Sequence, residues 1–349
     1  MTLLVNTTNV SFAPSSGNVV TAEGELLPVA AQIVLTLIIG TITIIGVPSN
    51  LLVIYIFSKI YRNSPTTINL MIVSITTTDF MLYTFGGPVH TVSYILGKWY
   101  LRTLRMPVLR IWVHFCSVAS LSHLVVISIE RYLVVKYNVK KDQRAFWKQL
   151  LLVSTAWLYA IFWAILPFFG WSSYELEGVH TGCAPKWVSR EIIDTTYNIT
   201  LIFTEFIFPL MVIVWAYWKL IRKIKEHNAH ISVTNSSEQA LIRGRMIMKS
   251  TTRLIVLMVG AYTFSWLPYS AICVWAMLVQ KRDFPPLAAA VPALFAKSSV
   301  IWNPLIYGMK HAGFRNELAK LWERLRSKSQ VRPNDKPKKP KVEFQEDEE

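Results

Sequence analysis

The segment FAKSSVIWNPLIYG, residues 295–308, holds one charged side chain, Lys297, in an otherwise uncharged run. Burial disfavours an ammonium and favours the neutral amine. A neutral, desolvated amine attacks carbonyl carbon and forms Schiff bases. The second use of such a lysine is structural, paired with a buried carboxylate. If one helix runs from Pro286 to Met309, Lys297 lies about 16 Å from either end at ~1.5 Å per residue. A lysine stem reaches only about 6 Å, so the amine does not snorkel to water.

Acids recur in the same apolar setting. Asp79 stands alone in SITTTDF, and Glu205 lies four residues before Pro209. A carboxylate at membrane depth is expensive, so a functional or paired role is the default. Asn50 and Asn303 are candidate polar partners for Asp79. Glu130 can pair with its neighbour Arg131. Pro209, Pro268 and Pro304 each remove a backbone hydrogen bond and make a bendable point.

These residues need elements to hold them. The chain has 349 residues, 52% hydrophobic and only 16% charged, where a soluble domain carries about 25% charge. The run from Leu26 to Ser58 is uncharged, longer than the ~20 residues that cross a bilayer. Similar runs follow near 67–95, 106–129, 147–171, 194–218, 254–280 and 286–309. In lipid, each satisfies its backbone only as a helix. The expected fold is an all-α membrane protein, a seven-transmembrane helix bundle over residues 28–310. Basic residues crowd the loops after the first, third and fifth runs and the tail, while the first 31 residues hold no Lys or Arg. This bias predicts a multi-pass plasma-membrane protein with the N-terminus outside and the C-terminus in the cytoplasm. The net charge of +15 is then a topology signal, and nucleic acid is not an expected partner.

Residues 1–27 read as an extracellular segment with glycosylation sequons at Asn6 and Asn9. No signal peptide is evident, so the first helix itself directs insertion. Phe314, Leu318, Leu321, Trp322 and Leu325 form an apolar stripe with basic flanks, predicting an amphipathic helix over 311–326 on the inner leaflet, against membrane lipids. Residues 327–349 are Pro-rich and charged, predicting a disordered cytoplasmic tail.

Five motifs fall in order on the runs: GVPSN ending at Asn50, SITTTDF with Asp79, ERY at 130–132, WLPY at 266–269 and NPLIY at 303–307. In this order they resemble the rhodopsin-like (class A) G-protein-coupled receptors, from about Asn50 to Arg315. The resemblance implies a switch built on Glu130, Arg131, Tyr132, Asp79, Asn50, Asn303, Pro304 and Tyr307, with a heterotrimeric G-protein as partner. Lys297, six residues before Asn303, matches the retinal-binding lysine of opsins, and FAKSSVIWNP is similar to their helix-7 signature. The resemblance thus extends to an opsin of divergent invertebrate type, a receptor and not an enzyme. It implies 11-cis-retinal bound through a Schiff base on Lys297, light-driven isomerisation and G-protein activation. Tyr262, Trp266, Tyr269 and Ala293, with Ser270 and Phe206, are the implied pocket residues.

The chain also departs from that family. Leu109 stands where vertebrate visual opsins place a counterion glutamate on helix 3. Glu177, six residues before Cys183, matches the loop glutamate of many invertebrate opsins and is the first candidate counterion. His90 either faces the same site, where its charge changes near neutral pH, or is a core histidine. Glu205 reads as a protonated pocket residue or a spectral tuner. Arg110 either pairs with Glu177 or helps hold an anion such as chloride near the Schiff base. Of three cysteines, Cys116 and Cys273 read as packing residues. Cys183 matches the family's loop cysteine, whose expected partner position is Met106, so that disulfide is absent. Met248 stands where many relatives carry an acid, which weakens the expected latch on Arg131. Only Ser327 and Ser329 supply hydroxyls in the tail, which weighs against arrestin shut-off, although arrestin stays a candidate partner. The remaining readings are a same-fold receptor for a diffusible ligand and a retinal photoisomerase, the latter disfavoured by intact ERY and NPLIY. A transporter is disfavoured, since no repeated pair of broken helices is seen.

Overall fold

Each long apolar run forms a helix whose backbone is satisfied internally. The computed structural model describes residues 28–99, 106–137, 145–177, 182–231, 238–279 and 286–330. The first four crossings are α1 (Val29–Asn63), α2 (Thr67–Leu96), α3 (Met106–Lys136) and α4 (Phe146–Ile165). The fifth comprises α5 (Ile192–Ile202), a π-helical turn (Phe203–Ile207) and α6 (Phe208–Ile231). The sixth is α7 (Glu238–Val279), and the seventh comprises α8 (Pro286–Lys297) and α9 (Ser299–Lys310). A final helix, α10, covers Ala312–Gln330, so helical backbone runs past the expected end at residue 326. Asn6, Asn9 and residues 331–349 lie outside the described residues, as does the side chain of Met248.

Prolines set the irregularities. Pro209 has no N–H, and its ring crowds the carbonyl four residues back, that of Glu205. The chain answers with the wider π turn over Phe203–Ile207. Pro304 likewise leaves the carbonyl of Val300 without its helical donor, and Asn50 Nδ2 donates to it at 3.1 Å.

The seventh crossing is not the single helix expected from Pro286 to Met309. It breaks at Ser298, between α8 and α9. The carbonyl of Lys297 accepts a hydrogen bond from the Tyr83 hydroxyl of α2. Its usual donor, the N–H of Ile301, turns to Ser298 O at 3.2 Å instead. The helix therefore tightens and restarts at Ser299, two residues after the lysine.

Packing is closest where small residues permit it. A Cβ on Gly87 of α2 would lie 2.6 Å from Thr43 Oγ1 of α1, so only glycine lets these helices approach so nearly. The largest buried cluster joins α1, α2, α3, α7 and α9 through Phe57, Met71, Leu124, Ile255 and Tyr307. Outward faces stay apolar, with Leu37, Ile44, Phe85 and Val214 exposed, as a lipid-facing surface requires.

Among the described residues the one sheet is a hairpin between the fourth and fifth crossings. Strands β1 (Tyr174–Glu177) and β2 (Gly182–Pro185) pair antiparallel, with Tyr174 opposite Pro185 and Leu176 opposite Cys183. At the far end, Phe314 of α10 is buried and stacks on Phe57, centroids 5.8 Å apart. His311 Nδ1 accepts from the N–H of Phe314 at 3.0 Å and caps α10. Glu317 bridges Lys59 of α1 at 2.6 Å and Lys320 at 2.8 Å.

Candidate functional site

Lys297 ends α8 and opens on an internal cavity of about 180 Å³ between α2, α3, the hairpin and the fifth to seventh crossings. Tyr262, Trp266 and Tyr269 recur at helical spacing and put one aromatic face of α7 on that cavity. Trp266 stacks on Tyr262, with ring centroids 5.6 Å apart, and meets Tyr269 edge-on at 6.0 Å. Ala293 lies one turn before Lys297 on α8 and is buried against the same space. Phe206 and Ser270 also line it. A long apolar aldehyde suits such a cavity: its walls are largely aromatic and aliphatic, and a primary amine stands at one point.

The polar part of the wall is concentrated on α3 and the fifth crossing. The π turn carries Glu205 to the cavity. There the carboxylate is not isolated, since His114 Nε2 of α3 lies 2.9 and 3.1 Å from its two oxygens. His114 Nδ1 is 2.7 Å from the Tyr174 hydroxyl of β1. One imidazole thus ties α3, the hairpin and the fifth crossing. Burial, and then Glu205, hold the Tyr174 phenol above its usual range, while Arg110 opposes that shift. His114 was not among the residues singled out from the sequence; its signal, a lone histidine in RIWVHF, does not disclose a partner 91 residues away.

His90 is buried on α2 beside the cavity, its ring 6.3 Å from Trp99. The backbone of Glu177 ends β1 opposite Gly182, while its side chain, with those of Cys183 and Met106, lies outside the described ones. Arg110 is buried on the cavity wall. The expected pairing of Arg110 with Glu177 falls on a side chain outside the described ones; among the described residues, Nε and Nη2 of the guanidinium have no hydrogen-bond partner. Cys116 and Cys273 are both buried, as expected of packing residues.

Below the cavity, Asp79 accepts from Ser120 at 2.8 Å and from Asn303 at 2.9 Å. Asn303 is thus a partner, as expected, but Asn50 is not. Asn50 donates to the carbonyls of Gly46 and Val300, because Pro304 leaves the latter open. Trp302 Nε1 donates to Ser265 at 3.0 Å, linking α9 to α7. At the far end Arg131 Nε lies 2.5 Å from Glu130 Oε2. The neighbouring Tyr132 packs edge-on against Trp215 of α6, centroids 5.3 Å apart. Tyr307 is fully buried, its ring 5.1 Å from that of Phe57.

Comparison with known proteins accords with this arrangement. Human visual pigment-like receptor peropsin is 29% identical over 80% of this chain and 81% of its own length. Pineal opsin of Petromyzon marinus is 29% identical over 81% of this chain and 62% of its own length. The crystal structure of squid rhodopsin superposes with a TM-score of 0.78 at 26% identity, covering 89% of this chain and 90% of that one. Residues 49–307 match the family described as 7 transmembrane receptor (rhodopsin family). With a seven-crossing bundle and that match over most of its length, the chain belongs to the rhodopsin family of seven-transmembrane receptors.

Proposed function

We propose that this multi-pass membrane receptor senses light through 11-cis-retinal carried as a Schiff base on Lys297, and signals to a heterotrimeric G-protein. The observation that carries the reading is the Lys297 amine at the wall of an aromatic-lined cavity, in a chain whose relatives are named as opsins. When bound, retinal supplies absorption of light and a change of shape on isomerisation.

The chain's own residues do the rest. Lys297 anchors the aldehyde carbon, since a desolvated amine is a carbonyl nucleophile. Tyr262, Trp266 and Tyr269 wall off water and restrict the polyene with rigid rings. A buried cation needs a counter-charge; Glu177 at the end of β1 remains the first candidate. Glu205, bound to His114, is a second acid on the same wall. Displacement of Trp266 moves α7 at its Pro268 hinge. That motion reaches the polar network of Asp79, Asn303 and Ser120 and the Glu130–Arg131 pair, whose release exposes Arg131 to the G-protein. The N-terminus faces outward and α10 lies on the cytoplasmic leaflet.

The test is the absorption spectrum of purified protein regenerated with 11-cis-retinal, before and after illumination. A visible band that shifts in light and is lost in Lys297→Ala supports the reading. Well-folded protein with no retinal band overturns it and points to a diffusible ligand.

A further inference from the structure

Two nitrogens of Arg110, Nε and Nη2, have no hydrogen-bond partner among the described residues, and they are neighbours on one edge of the guanidinium. That edge presents two parallel N–H donors at the spacing of carboxylate oxygens. The side chain is only 6% exposed, so water does not solvate it freely, and a buried unmet charge of this kind is costly. Arg110 lines the same cavity as Lys297. Glu205, the one acid among the described lining residues, has both oxygens within hydrogen-bond reach of His114. The remaining wall is mainly apolar. The start of α3 at Met106 adds the positive end of a helix dipole close to Arg110.

We infer that Arg110 is a carboxylate subsite, and that the cavity takes an elongated apolar carboxylic acid, held without a covalent bond by the Nε–Nη2 edge. The inference rests on the cavity and on Arg110, not on covalent attachment at Lys297. A spherical anion meets the two donors less well than two oxygens do, so a carboxylate is the better occupant. Such an acid shares the cavity with the aldehyde and competes with its attachment.

The test uses purified full-length protein free of retinal, with all-trans-retinoic acid and all-trans-retinol as probes of equal skeleton. Trp266 and Trp187 line the cavity, so quenching of tryptophan fluorescence reads binding of both. The acid is expected to bind about tenfold or more tighter than the alcohol, the gain of a charge-assisted, two-point contact. Arg110→Gln should erase that advantage while retinol still binds, which also shows that the cavity is intact. Arg110→Lys, which keeps the charge but loses the fork, should lower the advantage and serves if the first variant does not fold. Lys297→Ala should keep it. Equal binding of acid and alcohol by the wild type overturns the inference. So does a preference that survives Arg110→Gln or disappears in Lys297→Ala. A preference seen only in Glu177→Gln overturns it too, since Arg110 would then be occupied by the chain's own carboxylate. None of these readouts needs a retinal pigment, so failure here is separable from failure of the light-sensing reading.

Discussion

The hydroxyl of Tyr83 on α2 donates to the backbone carbonyl of Lys297, 214 residues away in sequence. The bond fixes the point at which the seventh crossing breaks, and therefore where the lysine stem begins. Tyr83→Phe keeps the ring and removes the donor. It should lower stability by about 1–2 kcal/mol, because the carbonyl is left buried without a partner. Thermal unfolding in nanodiscs should show a drop of a few degrees; an unchanged midpoint would mean that Ile301 retakes the bond.

Asp79 is held by two donors on different helices, Ser120 and Asn303. Asn303→Ala should cost about 1–3 kcal/mol, the penalty of an unmet bond to a buried carboxylate. A double-mutant cycle with Ser120→Ala measures whether the two donors act together. Non-additivity of at least ~0.5 kcal/mol is expected for groups on one carboxylate.

His114→Ala removes the bridge between Tyr174, α3 and Glu205. A loss of about 2 kcal/mol is expected, moderated because both partners keep some exposure. Hydrogen exchange of the β1 and β2 amides should quicken, while that of α1 and α9 stays as it was. No change in the hairpin would show that the bridge does not anchor it.

The junction of α9 and α10 should loosen in acid, in two stages. Burial, helped by Arg315, holds the His311 imidazole below its ordinary value of 6.5. The unfolded chain then binds the extra proton, so this contribution is lost as pH falls below about 6.5. Hydrogen bonds from Lys320 and Lys59 hold Glu317 down to about 2 from 4.5. Its contribution is present above the unfolded value and is lost as pH falls from 4.5 towards 2. A spin label on α10 should show rising mobility through both windows, and Glu317→Gln should remove the lower one.

The crossings were legible because lipid leaves a long apolar run one backbone solution. Lys297 was legible as an expensive charge at membrane depth, and the aromatic face of α7 through the resemblance to opsins. The break at Ser298 was not, since it depends on a tyrosine from another helix. Asn50 was assigned to Asp79 because both are polar at membrane depth; the structure sends it to Val300, whose carbonyl Pro304 vacates. His114 was passed over because its meaning lies in partners on two distant elements. The motif residues, by contrast, carry local meaning: Glu130 and Arg131 are adjacent and pair directly.

The division of the seventh crossing has a consequence for biosynthesis. Each half holds 12 residues, about 18 Å of helix at ~1.5 Å per residue, well short of a ~30 Å hydrocarbon core. Neither half can enter a bilayer as an independent unit. The whole of 286–310 must therefore enter as one unit, and the Tyr83 hydroxyl of α2 then meets the carbonyl at its break. A variant that delays that docking should accumulate a six-crossing intermediate, visible as protease-sensitive chain.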